Sequence, residues 1–188
     1  MPGGLWQRVT GGVYIRAPRY SDERSFVALM VESLEFHRPW ATAPTDAARF
    51  AAYLEDSSRP DFQAYLVCRR ADDQIVGFFN LSQLTRGSLQ SAYLGYAAAL
   101  RFSGQGFMRE GIELVLSEAF LKLRLHRLEA NIQPGNSASL ALARGAGFHR
   151  EGYSPRYLKI NGHWRDHERW ALLAEDWLAR RGLGSGAL

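Results

Sequence analysis

Arg101-Phe-Ser-Gly104-Gln-Gly106 sets two glycines between a strand-like run, Ser91–Ala97, and a run with helical periodicity, Phe107–Leu123. The first turn of a helix leaves main-chain N–H groups unpaired, and the helix dipole adds partial positive charge there. Glycines at the entrance let the oxygens of a polyanion approach those amides. The turn by itself therefore has two readings, a phosphate cradle or an ordinary strand-to-helix connection, and its surroundings decide between them. The helix is well marked. Met108, Ile112, Val115, Ala119 and Leu123 step by four, three, four and four residues along a buried face, while Arg109, Glu113 and Ser117 mark a wet one.

Upstream, Ala64–Arg69 and Ile75–Leu84 read as strands joined at Ala71-Asp-Asp-Gln74, and Arg86-Gly-Ser88 turns the chain into Ser91–Ala97. This is an antiparallel meander. Before it, Val13-Tyr-Ile15 reads as a first strand, and Ser21-Asp-Glu caps a helix that reaches Glu32. Thr45 is the expected cap of a second helix carrying Phe50, Tyr53 and Leu54. Downstream, Arg127–Gln133 is a short strand, so the long helix becomes a βαβ crossover and the strands at its two ends pair in parallel. Asn136 caps a short helix, Ser137–Ala146, that stops at Gly147-Phe148. Asn161-Gly162 suits a type I′ turn between Tyr157–Ile160 and His163–Leu172, and Ala174–Arg181 forms a last helix.

The 188 residues fit one domain, and 46% hydrophobic with 22% charged residues reads as soluble and globular. No apolar run approaches the roughly 18 residues that span a bilayer, and Met1-Pro-Gly-Gly-Leu-Trp6 lacks the layout of a signal peptide. A cytoplasmic protein without membrane contact is expected. The single cysteine, Cys68, excludes a disulfide framework and reads as a small buried hydrophobe. A net charge of +4 is spread over separated basic pairs, so nucleic acid is not the expected substrate, although contact with a ribosome surface stays open.

Other chemistries fit less well. A dinucleotide-binding turn needs a third glycine where Arg109 stands, although Glu129 imitates the ribose-binding acid. No Gly-Lys-Ser/Thr makes a nucleotide-triphosphate loop, and no Gly-x-Ser-x-Gly makes a hydrolase elbow. His163 and His167 would stand roughly 13 Å apart along a strand, too far to share a metal ion, and no metal is expected.

The order of elements, with Arg-x-x-Gly-x-Gly opening a long helix and Asn136-Ser-Ala-Ser139 opening the next, resembles the GNAT superfamily of acyl-CoA-dependent N-acyltransferases. Roughly residues 11–175 carry the likeness, within a single domain spanning 1–188 that ends in a short flexible tail at about 182–188. Phe36-His-Arg-Pro-Trp40, Leu142-Ala-Arg-Gly-Ala-Gly-Phe148 and Tyr157-Leu-Lys-Ile-Asn-Gly-His-Trp-Arg-Asp-His167 bring it nearer to the ribosomal-protein-alanine N-acetyltransferase branch.

The resemblance implies an α/β fold of the α+β type: a mixed, mostly antiparallel twisted sheet of about seven strands flanked by helices, with a V-shaped cleft between the fourth and fifth. It implies acetyl-CoA as co-substrate, with the pyrophosphate on the amides of Gly104, Gln105, Gly106, Phe107 and Met108 and with Arg101 and Arg109 nearby. The pantetheine arm would pair with the main chain of Tyr96, Ala97 and Ala98 and meet Asn136, which is also a plain helix cap. Phe36, His37 and Trp40, with Tyr153, Tyr157 and Trp164, would form the acceptor slot or pack the core edge. Oligomeric state is left as monomer or homodimer.

In this family an amine attacks the thioester directly, so the enzyme needs to manage protons and charge rather than supply a nucleophile. The tyrosine that many members use as the acid falls at Ala143. Ser139 stands at the mouth of the same helix, either as that acid or as a first-turn serine facing solvent. Glu129 and Asn131 share a strand face as candidates for the base, with a salt-bridged surface glutamate as the alternative. At pH 7 an α-amine with a pKa of about 7.7–8.0 is roughly a tenth neutral, whereas a lysine at about 10.4 is neutral at a few parts in ten thousand. A weak base favours the first. The expected reaction is acetyl transfer to a protein N-terminus, with a small amine (polyamine, amino acid or aminoglycoside) or a non-catalytic acyl-CoA-binding module as the alternatives.

Overall fold

A computed structural model describes residues 11–182. The N-terminal hexapeptide and all but the first residue of the expected tail lie outside the described residues. The chain runs β1 (Val13–Arg16), α1 (Glu23–Glu32), α2 (Leu34–His37), α3 (Ala47–Asp56), β2 (Phe62–Arg69), β3 (Ile75–Thr85) and β4 (Ser91–Ala98). It continues through α4 (Phe107–Ser117), β5 (Arg127–Ile132), α5 (Ser137–Ala146), β6 (His149–Ile160), β7 (His163–Leu173) and α6 (Ala174–Arg180). The strands form one seven-stranded sheet in the order β1-β2-β3-β4-β5-β7-β6.

Among the described residues β4 and β5 are the one parallel pair, and they pair only at Ser91↔Arg127, Ala92↔Leu128 and Tyr93↔Glu129. Beyond that point β4 stays with β3 as far as Ala98. β5 instead follows β7 from Arg127↔Leu173 to Ile132↔Glu168. Two strands held by different outer neighbours must part, and the expected V opens there with unpaired main-chain groups along β4.

Packing fixes the layers around that opening. Phe26 of α1 and Phe50 and Tyr53 of α3 gather round Phe78 of β3, with ring centroids 5.1–6.2 Å apart, which holds both helices on one side. α4 buries Ile112, Val115 and Leu116 and touches β1, β2 and β3. Its periodicity continues, as predicted, through a π-helical turn, Glu118–Lys122, where Phe120 packs on Trp177 of α6. Gly77 of β3 permits the close approach of α4: a Cβ there would lie 2.5 Å from Met108 Sδ and 2.6 Å from the Ala97 carbonyl oxygen. Cys68 is fully buried and its thiol is pushed up by that burial, in keeping with a core residue.

Several local expectations shift. Asp46, not Thr45, caps α3, because its carboxylate accepts from the Arg49 N–H at 2.8 Å. Asp22 does not cap α1: it takes both terminal nitrogens of Arg16, at 2.6 and 2.7 Å, and the Arg19 N–H. Burial pushes its carboxyl up, but those three donors outweigh burial and hold it below the ordinary range. The last hairpin turns at Asn161-Gly162, both with positive φ, as a type I′ turn requires. Its first strand, however, begins at His149 rather than Tyr157, because the ladder runs through an irregularity between Ser154 and Leu158. Pro155, which has no N–H to give to a ladder, falls within that irregularity.

Candidate active site

Gly104 and Gly106 both hold left-handed backbone, at φ of 75° and 85°, and Gly106 is the N-cap of α4. This turn leaves the next amides pointing outward. No main-chain bond of the described residues has a donor between Gly104 and Met108; the first of the helix is Arg109 N–H to the Gly106 carbonyl, at 3.0 Å. Free amides, open space at both glycines and the dipole of an eleven-residue helix are what a pyrophosphate requires.

These amides form one end of a cleft of about 700 Å³ that runs up the V. Tyr96, Ala97 and Ala98 of β4 line one wall, with Gly104, Gln105, Gly106, Met108 and Arg109 at the foot. Asn136 and Ser139 of α5 line the opposite wall, and Phe36, His37 and Trp40 close the top. The Asn136 side chain caps α5 by accepting from the Ser139 N–H at 3.1 Å. Across the V the Tyr96 hydroxyl donates to the Ser139 carbonyl at 3.1 Å, stitching β4 to the first turn of α5. Burial pushes that phenol up to about 12, so it remains a donor throughout the physiological range.

Arg101 does not join the cleft. The 3₁₀ turn Leu100–Phe102 carries it toward α1, where the Glu32 carboxylate takes its Nε at 3.0 Å. Nor does the Phe107 side chain, which packs on Phe102 beneath Arg69. Among the described residues Arg109 is thus the one arginine lining the cleft.

The proposed base positions are also placed differently. Glu129 accepts from Arg127 Nε at 2.8 Å, and the same guanidinium binds Glu151, so the carboxylate is already committed. Neither Glu129 nor Asn131 lines the cleft. Asn131 Oδ1 is nevertheless buried without a partner, as is Nε2 of His37. His37 is 7% exposed, and burial holds its imidazole below the usual range against the opposing effect of the Ala98 main chain. Ala143, where a tyrosine acid would stand, is buried among core residues rather than facing the cleft.

The acceptor set divides. Tyr153 and Trp164 are exposed on the last hairpin, Tyr153 held by Asp166, and Tyr157 pairs with Tyr93 and packs edgewise on His167. None of the three lines the cleft. What the hairpin contributes instead is its tip: Asn161 Nδ2 donates to the Arg38 carbonyl at 2.7 Å and Oδ1 accepts from Thr42 Oγ1 at 2.9 Å. Gln133, beyond β5, holds the same segment through the carbonyls of Pro39 and Trp40. Neither contact is visible in the sequence, where Asn161 marks a turn and Gln133 a strand end. No group of three or more His, Cys, Asp or Glu among the described residues is placed to hold a metal ion. No helix among them is long and apolar enough to cross a membrane.

Comparison with known proteins agrees with this geometry. The family model described as "Acetyltransferase (GNAT) domain" matches residues 13–149. The probable N-acetyltransferase YjcK of Bacillus subtilis (strain 168) is 32% identical over 87% of this chain and 95% of its own length. The [ribosomal protein uS5]-alanine N-acetyltransferase of Escherichia coli (strain K12) is 37% identical over 58% of this chain and 57% of its own. Among solved structures, Mycobacterium smegmatis RimJ in complex with CoA-disulfide superposes with a TM-score of 0.79 at 24% identity, covering 90% of this chain and 89% of the other.

Proposed function

The chain belongs to the acetyltransferase (GNAT) family and takes its acetyl group from acetyl-CoA, and from that premise we propose that the acceptor is the N-terminal α-amine of a polypeptide, a ribosomal protein being the first to test. The amides from Gly104 to Met108 hold the pyrophosphate, Arg109 adds charge, and the unpaired edge of β4 at Tyr96–Ala98 receives the pantetheine arm. Bound this way, the thioester comes toward the first turn of α5. Ser139 lies there and serves as the acid for the departing thiolate.

The observation that carries the acceptor is that no carboxylate among the described residues lines the cleft, whose charged member among them is Arg109. Such a cleft offers no counter-charge to a polyamine and no strong base for a lysine. An α-amine, already about a tenth neutral at pH 7, needs neither. Incubation with labelled acetyl-CoA and a panel of unblocked N-terminal peptides, N-terminally blocked lysine peptides, spermidine and an aminoglycoside tests this. Transfer to the unblocked peptides is expected. Transfer confined to spermidine or the aminoglycoside would refute the assignment, and tight acetyl-CoA binding without transfer to anything would make the chain a binding module.

Ser139→Ala is expected to lower kcat about tenfold to hundredfold with little change in acetyl-CoA binding, since general acid catalysis contributes about 10²–10⁴-fold and water replaces part of it. The Asn136 cap uses the Ser139 main chain and is unaffected. A kcat equal to that of the unaltered protein would return Ser139 to a helix-start role.

A further inference from the structure

A second cavity, of about 390 Å³, adjoins the cleft, and His37 and Ala41 belong to the linings of both. Its floor is apolar, with Met30 and Leu34, and its rim carries Arg38, Thr42, Arg49 and Asn161. No carboxylate lines it. The bonds from Asn161 and Gln133 to residues 38–42 hold the shared wall from two sides, so its place between the two cavities is built into the fold. His37 stands in that wall more than nine-tenths buried, and its Nε2 has no hydrogen-bond partner among the described residues. Buried polar atoms are as a rule hydrogen-bonded, and at this wall either an ordered water or a polar group of the substrate can complete the set. A peptide main chain threading from one cavity to the other supplies such groups.

We propose that this second cavity is the subsite for the residues that follow the first residue of a polypeptide acceptor, and that Arg38 and Arg49 select an acidic side chain there. The inference rests on the polypeptide reading of the acceptor. Arg38 and Arg49 each have an i,i+3 partner, Glu35 and Asp46, but both pairs are well exposed. Exposed pairs of this kind hold their members weakly, so either guanidinium can turn to a carboxylate brought by the substrate. A basic residue at the same place faces the two arginines of the lining, while Glu35 and Asp46 stand outside it as their partners.

The test uses hexapeptides with alanine first and either glutamate or lysine at positions two and three, compared within each protein as the ratio of kcat/KM values. Equilibrium binding of the same peptides, labelled at the C-terminus, is followed by fluorescence anisotropy. The ratio is expected to favour the glutamate peptide about fivefold at low salt and to shrink toward unity in high salt, as for an exposed charge contact. Arg49→Glu should invert it, in both turnover and binding. Lys122→Glu, the same change of charge beyond the far end of α4, should leave the ratio where it was. Equal use of both peptides, or a ratio indifferent to Arg49→Glu, would overturn the subsite while leaving the polypeptide acceptor standing. Failure of every peptide alongside acetylation of spermidine would overturn both.

Discussion

Replacing Gly106 by valine is expected to raise KM for acetyl-CoA about tenfold to hundredfold in a chain that still folds. Gly106 sits at φ 85° and ψ −10°, where a side chain costs about 1–2 kcal/mol. A Cβ there would meet no atom of the protein within 4 Å, so the penalty is conformational rather than steric. At about 2–4 °C per kcal/mol for a domain of this size, Tm should fall by about 2–8 °C. The larger effect is on the donor, because the valine methyls occupy the space in front of the amides between Gly104 and Met108. Charge-assisted hydrogen bonds contribute about 1.5–3 kcal/mol each, and about 1.4 kcal/mol is a factor of ten. Calorimetric titration with acetyl-CoA, beside a thermal melt, separates the two effects. Unchanged affinity would place the pyrophosphate elsewhere.

Gly77→Ala should be the more damaging change to the fold, although it adds only a methyl group. The new carbon would lie 2.5 Å from Met108 Sδ, 2.6 Å from the Ala97 carbonyl oxygen and 3.2 Å from the Ala98 Cα. The sulfur can turn aside, but the two main-chain atoms belong to β4 and move only with the strand. Overpacking typically costs about 1–3 kcal/mol, and obstruction by backbone puts this site at the upper end. A fall in Tm of about 6–12 °C follows for a domain of this size. Ala97, Ala98 and Met108 all line the cleft, so acetyl-CoA binding should weaken as well, by about tenfold or more, since a displacement near 1 Å is costly to a positioned substrate. A variant that melts within a degree of the unaltered protein would show that β3 and β4 yield more easily than their ladder implies.

The elements legible in the sequence are those fixed by local backbone rules. The glycine pair, the stepped face of α4, the Asn136 cap and the Asn161-Gly162 turn each announce a conformation within a few residues, and the parallel β4–β5 pairing follows from the helix between them. The glycine-turn end of the cleft is built from such pieces, and ten of the twelve residues proposed to hold acetyl-CoA line that cleft. Partner choice across the fold is a different matter. Arg101 looks like a phosphate ligand because it begins the glycine motif, but Glu32, 69 residues earlier, claims it. Glu129 looks like a free base until Arg127 and Glu151 are seen beside it. The close approach that requires Gly77 depends on how α4 lies over β3, which no pattern within β3 encodes. Tyr157 and Trp164 belong to the stretch that carries the resemblance to the family, yet the hairpin meets the helices through Asn161.

The shared wall at His37 and Ala41 also separates two stretches of sequence. The glycine-turn end of the cleft comes from 96–109 and 135–142, whereas the second cavity draws on 30–49 and on Asn161. Only Phe36, His37, Trp40 and Ala41 of the earlier stretch also line the cleft. On the subsite proposed above, a lineage with this layout is retargeted to new acceptors through Arg38, Thr42, Ala43, Thr45 and Arg49, which line the second cavity and not the cleft.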